Sequence, residues 1–354
     1  MNILVIGKFY TEDFALHISE TFAAMGHAVR RFEPGYKRNR IGGRFGHRLN
    51  QVHGVIHSAT DSVPEIRARR IKRLWQIADE GPLDLIVVCY DFLWPVEVTE
   101  LKRRTSAQIV MWFPDAVTNF GKAFFMNAPY DALFFKDPYI VHVLSDVLKS
   151  PVYYLPECFN PERHWLQEKD IGQSRDYKCD ITTAGNQHSW RVAFYKNLVD
   201  YDVKLWGNPA PLWMAAGKVA PMHQGRSVYD QEKVRAFRGA KIVVNNLHYG
   251  ETWGVNVRCF EAAGAGAFQM VDWKPGLSQL FEDEKELITF RSISDLKQKI
   301  DYWLPREAER QSIGEAGMGR AHKDHTYALR LEMMLGTLAG TSDGFPVPQI
   351  QYRD

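Results

Sequence analysis

Short apolar runs of strand length alternate with amphipathic segments of helix length along most of the chain, and this rhythm restricts the fold more than any other feature. Asn2 to Ile6 is apolar and β-branched, Gly7 breaks it, and Phe14, Ile18, Phe22 and Met25 then recur at helical spacing up to Gly26, a left-handed cap. Ala28 to Phe32 reads as a second strand, and a helix from about Pro64 to Glu80 ends at Gly81-Pro82. Further strands are expected at Leu83 to Cys89, Gln108 to Phe113, Leu133 to Lys136 and Val152 to Leu155.

After a linker with Pro156 and Pro161, the pattern starts again. Cys179 to Ala184, Asp202 to Trp206, Lys241 to Leu247, Ala267 to Val271 and Leu287 to Phe290 read as strands, with helices between and after them. Two consecutive Rossmann-like halves are the most economical α/β architecture, and ligands of such sheets sit beyond the carboxyl ends of the strands. The expected division is an N-terminal domain over 1–160, a linker over 161–177 and a C-terminal domain over 178–325. A terminal helix and tail over 326–354 are expected to cross back to the first domain.

At 354 residues, about two domains fit the length, and 45% hydrophobic with 24% charged residues suits an ordinary globular chain. The densest apolar run, Leu85 to Tyr90, falls far short of the ~18 residues of a membrane span. Met1 to Phe9 reaches Lys8 too soon for a secretory leader, so a cytoplasmic location is expected. Cys89, Cys158, Cys179 and Cys259 form no CxxC pair and no zinc-spaced ladder, so they read as reduced core thiols and no metal is expected.

Several chemistries lack their signatures. Neither half carries a dinucleotide fingerprint, because Gly264-Ala265-Gly266 follows a helix and precedes a strand, and no P-loop, HExxH or GxSxG occurs. Basic and acidic residues nearly balance, 44 against 42, but Arg30 to Arg73 holds 12 Lys/Arg against Glu33, Asp61 and Glu65. That segment suits an anionic acceptor or the inner membrane face, and equally a solvated loop followed by a cationic helix face. No nucleic-acid partner is expected, since the recognition motifs are missing.

The most informative segment runs from Asn245 to Gly266. A polar loop containing His248 and Glu251 leaves a buried strand and enters a helix, so backbone N–H groups and the helix dipole face an anion. Arg258 adds a fork of donors for phosphate oxygens, and Glu261, one turn on, can accept both hydroxyls of a ribose. The alternative is a surface ion pair between Arg258 and Glu261.

Asn256-x-Arg258-x-Phe260-Glu261-Ala262-x-x-x-Gly266, with Leu280-Phe281, Glu309-Arg310, His325-Thr326-Tyr327 and Arg330, resembles the spore-maturation-type (CgeB-like) glycosyltransferases of the GT-B group. The similarity is strongest over about Cys179 to Arg330. In the first half only Trp112-x-x-Asp115, Tyr130-Asp131, Lys136-Asp137 and Leu155-Pro156-Glu157 share it. The resemblance implies a GT-B fold of two facing Rossmann-like domains around a cleft. It also implies a nucleotide-sugar donor held by the second domain and an acceptor held by the first. Glu261 then corresponds to the ribose ligand, Asn256 and Arg258 to diphosphate or sugar contacts, and Gly185-Asn186 with Arg191 to the phosphate-side loop. Many retaining GT-B enzymes place another glutamate eight positions before the ribose ligand. Here that position is Trp253, and Glu251 is the nearest acid.

On the acceptor side, Asp115 follows Pro114 at the carboxyl end of a strand, where a general base would sit, and Asp there is also a common turn or cap residue. His17 on the first helix is an alternative base, and Asp137 and Glu157 are further strand-end acids. His325-Thr326-Tyr327 reads as a structural cap, with Arg330 extending along the helix face. The expected function is metal-independent, retaining transfer of a sugar from a nucleoside-diphosphate sugar to a glycan, lipid-linked saccharide or protein. No cofactor is expected beyond that co-substrate. A nucleotide-sugar epimerase and a catalytically silent nucleotide-sugar-binding module are the alternatives.

Overall fold

The computed structural model describes residues 1–34, 56, 59–171, 175–211 and 213–348. In chain order the first series is β1 (Asn2–Ile6), α1 (Phe14–Ala24), β2 (Ala28–Phe32), α2 (Pro64–Asp79), β3 (Leu85–Cys89), α3 (Pro95–Arg104), β4 (Gln108–Phe113), β5 (Ala132–Phe135), α4 (Pro138–Leu144) and β6 (Val152–Tyr154). The second is α5 (Glu168–Ile171), β7 (Cys179–Ala184), α6 (Ser189–Tyr195), β8 (Val203–Trp206), α7 (Asp230–Gly239), β9 (Ala240–Asn245), α8 (Val257–Gly264), β10 (Gln269–Asp272), β11 (Ile288–Phe290), α9 (Ile293–Trp303), α10 (Glu307–Asp324) and α11 (Tyr327–Leu338).

Two compact units result. The first comprises Met1–Pro114, Phe120–Phe134 and Leu148–Val152, and the second Asp115–Asn119, Phe135–Val147 and Tyr153–Asp354. Strands β1 to β6 make a six-stranded parallel sheet in the order β2-β1-β3-β4-β5-β6, and β7 to β11 make a five-stranded one in the order β11-β10-β9-β7-β8. The inner strands of the first sheet are apolar without alternation, as in a sheet covered on both faces, and Leu85 to Cys89 are all fully buried, whereas the edge strand β2 carries Arg30 and Arg31. In the second sheet, side chains alternate between two cores. Ile242 and Val244 pack with Tyr195, Leu296 and Ile300, whereas Val243 packs with Trp206, Phe237 and Ala262.

The topology fixes where a ligand can sit on the second sheet. The chain leaves β7 for β8 on one side and returns to β9 on the other, so the strand order reverses between β7 and β9. A crevice opens at such a reversal beyond the carboxyl ends. Those ends are Ala184 and Asn245.

Three other expectations meet the coordinates here. The four cysteines are buried and free, as core thiols should be. Thr326 caps α11, its hydroxyl accepting from the Leu329 N–H at 3.4 Å, and Tyr327 is buried. Arg330, however, does not extend along the helix face. It is 1% exposed and donates to the carbonyls of Pro156 (3.1 Å) and Asp324 (2.9 Å) and to His325 Nδ1 (2.6 Å). His325 Nε2 meets the Leu280 carbonyl at 2.7 Å, and since a carbonyl only accepts, Nε2 bears the proton. Burial, with the Arg330 charge, lowers this histidine from the usual 6.5 to about 3.

Of the basic segment, 35–55 and 57–58 lie outside the described residues. Within the rest, Arg67 is buried between Glu97 (2.6 Å) and Asp61 (2.9 Å), and Arg73 pairs with Glu80 (2.7 Å). Arg69 and Lys72 are exposed on α2. No described helix is long and apolar enough to cross a membrane.

Candidate active site

Beyond the ends of β7 and β9, two guanidinium groups converge on one glycine. Arg258, in the first turn of α8 and 8% exposed, donates through Nε to the Ala184 carbonyl (2.5 Å) and through Nη1 to Asn245 Oδ1 (2.8 Å). Arg191, on α6, donates to the Asn186 carbonyl at 3.1 Å. Gly185 lies beneath both. A Cβ built on it would stand 2.4 Å from Arg191 Nη1 and 2.7 Å from Arg258 Nη2, and its φ of +142° disfavours any side chain.

Asn245 organises this corner. Its carboxamide exchanges hydrogen bonds with Asn256, at 3.1 and 3.3 Å, while holding Arg258. Asn186 braces the far side, its Oδ1 accepting from the Asn208 side chain at 2.9 Å.

Neither arginine has a carboxylate in ion-pair range among the described residues. Burial and the neighbouring Arg258 charge push Arg191 down to about 9, and burial also lowers Arg258. Two cations held close together away from water raise each other's energy until an anion neutralises them. A dianionic group with several oxygens, such as a diphosphate, matches two forks of N–H donors.

Arg258 and Glu261 are not a surface ion pair. Glu261 is buried at 5% exposure and pairs with Lys233 of α7, whose Nζ is 2.9 Å from Oε1. His164 Nε2 lies 3.8 Å from the same oxygen. Lys233 left no mark in the sequence, since it sits 28 residues away on an otherwise ordinary amphipathic helix.

Glu251 belongs to a second cluster, which sequence reasoning missed. It is 2% exposed, and Lys136, just beyond β5, donates to its Oε1 at 2.7 Å and to Glu157 at 3.3 Å. Burial pushes Glu157 up to about 8, with Lys136 only partly offsetting it. For Lys136 burial acts downward, yet the charges of Glu251 and Glu157 hold it above the ordinary lysine value. The carboxylate of Asp115 is half-buried, accepts from the Ala116 N–H at 2.8 Å, and acts electrostatically on Lys136, Glu157 and His188. Asp137 is a clamp. Its carboxylate caps α4 and accepts from the backbone N–H groups of Thr252 (2.8 Å) and Trp253 (3.1 Å), fixing the loop that carries Glu251.

His248 lies on the same loop, its Nδ1 accepting from the Gly250 N–H at 3.1 Å and its ring 4.0 Å from that of Tyr249. His17 is buried on α1 of the first unit. Asn246 is 2% exposed, and neither atom of its carboxamide has a partner among the described residues.

Residues 187–336 match the family model described as "Glycosyl transferase-like". No curated protein matches the chain. Among solved structures, the sucrose-phosphate synthase of Thermosynechococcus elongatus is similar at TM-score 0.65 and 13% identity, over 96% of this chain and 100% of that one. HepE of Anabaena, in complex with UDP, is similar at TM-score 0.63 and 11% identity, over 96% and 99%. An α,α-trehalose-phosphate synthase (UDP-forming) of Burkholderia vietnamiensis is similar at TM-score 0.61 and 12% identity, over 96% and 99%. The fold is GT-B. With the matched segment, it defines the class of this protein as a glycosyltransferase.

Proposed function

We propose that the protein transfers a sugar from a nucleoside-diphosphate sugar, with a UDP-sugar the first to test, to an acceptor hydroxyl. The observation that carries this reading is the pair of guanidinium groups over Gly185, that of Arg258 buried and that of Arg191 half-buried, with no carboxylate in ion-pair range among the described residues. In it Arg191 and Arg258 bind the diphosphate, and the amide end of α8 adds its dipole. Glu261, held by Lys233, accepts from the ribose hydroxyls. UDP in the HepE complex and the UDP-forming activity named for the trehalose-phosphate synthase support the choice of nucleotide.

Chemically, the bond from the sugar's anomeric carbon to the diphosphate oxygen breaks and one to the acceptor oxygen forms. The charge gathering on the departing diphosphate is stabilised by the two arginines, donors already in place before the reaction. This is the basis for a reaction independent of metal ions, tested by its persistence in EDTA. Asp115 is the group assigned to receive the acceptor proton, and retention at the anomeric carbon is inferred from the resemblance to retaining GT-B enzymes. The configuration of the product, read by NMR, checks the second point. A glycan, a lipid-linked saccharide or a protein is the acceptor we propose.

A thermal-shift screen with UDP, GDP, TDP and CMP compounds tests the donor site. A bound diphosphate raises the melting temperature by a few degrees through mass action, and R258A and R191A abolish the rise. A rise retained in both variants would place the pocket elsewhere.

A further inference from the structure

Two large rings of the second unit stand side by side in solvent. Trp190, on α6 next to Arg191, is 41% exposed, and Tyr249, on the loop after β9, is 66% exposed. Such rings carry much apolar area, and a pair of them left in water marks a surface that a ligand covers. Neither hangs loose. The Trp190 indole donates through Nε1 to the Leu247 carbonyl at 2.8 Å, its ring meets that of Tyr249 edge-on at 6.0 Å and 76°, and the His248 ring lies against Tyr249. Rings held this way are ordered before a ligand arrives, so little freedom is lost on binding.

Their position ties them to the reaction. A Cβ on Gly250 would stand 2.6 Å from Thr118 Oγ1, so the Tyr249 loop packs against the turn that follows Asp115, within one unit. His188, two residues before Trp190, feels the charges of Arg191, His248 and Asp115. The ring pair thus neighbours both the group assigned to the acceptor proton and an arginine assigned to the diphosphate.

The chemistry of the pair selects the ligand. The rings are uncharged, and the charges around them are already engaged: Arg191 and Arg258 with the diphosphate, Asp115 with the acceptor proton, and Glu251 with Lys136. His188 is exposed and is held below the usual histidine value by burial, to which the Arg191 charge adds, so at pH 7 it offers one donor and one acceptor beside the rings. A lipid chain needs continuous apolar cover, and a flat arene leaves the polar rim unused. A sugar ring uses both, its C–H face stacking on an aromatic ring and its edge of hydroxyls meeting polar groups.

We propose that Trp190 and Tyr249 form a stacking platform for the acceptor, and that the acceptor is a saccharide, free or lipid-linked. This rests on the transfer reading above and narrows its acceptor, and it adds acceptor contacts to the unit that the resemblance gives to the donor.

An array of neutral and acidic oligosaccharides, probed with the full chain without nucleotide, tests the platform. The same saccharides carried on lipids in phosphatidylcholine vesicles distinguish the two sources. The wild-type chain is expected to retain at least one saccharide, Y249A and W190A to weaken it by about tenfold, and W190F, which keeps a ring, to fall between. UDP affinity, measured by calorimetry, stays unchanged in Y249A. If W190A disturbs the adjacent Arg191, seen as lost UDP binding, Y249A and W190F decide. The proposal is overturned if no saccharide is retained, if retention survives in Y249A, or if Tyr249 is needed instead for binding to vesicles without saccharide. A chain that retains saccharide through these rings yet binds no nucleotide overturns the donor reading alone.

Discussion

Gly185 shows how much a single position constrains the site. A side chain there would displace the guanidinium ends of Arg191 and Arg258, and the backbone is in a region that L-residues rarely adopt. G185A is expected to lose the thermal shift with nucleotide and to cost about 1–3 kcal/mol of stability, both measurable in melts with and without UDP. R258K tests geometry against charge. A lysine keeps the cation but loses the fork that spans Ala184 and Asn245, so UDP affinity measured by calorimetry is expected to fall at least tenfold. At this scale Arg258 and Glu261 were legible because both stand in one local motif. Lys136 was not, because it meets Glu251 across 115 residues and no spacing rule connects them.

At the scale of elements, the inner strands fall where the apolar runs placed them, because a strand covered on both faces has to be apolar throughout. Helix ends were less legible. Between β7 and β8 the expected helix is α6 over Ser189–Tyr195 followed by a 3-10 turn over Lys196–Leu198. There the Asn197 side chain draws on the carbonyls of Ala193 and Phe194. The start of α11 gives two predictions. T326A removes the cap and is expected to cost about 1 kcal/mol in urea unfolding.

His325 links the same junction to pH. Its folded value lies below its unfolded one, so its contribution is complete above about pH 6.5 and is lost as pH falls toward 3. Stability is expected to drop between pH 6.5 and 4.5 by up to ~1.4 kcal/mol per pH unit from this group, and the slope to flatten in H325N. Unfolding midpoints at several pH values check this.

For the molecule as a whole, the basic stretch between Arg30 and Arg73 is less available than its composition implies. Arg67 is spent on Glu97 and Asp61 within the first unit, and Arg73 is paired with Glu80. Arg69, Lys72 and Arg73 are exposed on α2, and of these Arg73 is the one paired with Glu80. If Arg69 and Lys72 contribute to a peripheral membrane contact, co-sedimentation with phosphatidylserine vesicles falls in the R69A/K72A variant and with rising salt, and binding to neutral vesicles is absent.

The sequence by itself determined the alternation of strands and helices, the two parallel sheets and the loop entering α8, because periodicity, caps and a local motif act over a few residues. Tertiary structure alone decided what surrounds those residues. Which carboxylate Lys136 holds and which cation holds Glu261 are set by how the elements pack, and that two arginines meet over Gly185 with no carboxylate in ion-pair range among the described residues is set by strand order. Strand order brings distant segments together at the carboxyl ends of β7 and β9, and the energies of buried charges depend on those neighbours rather than on the chain around them.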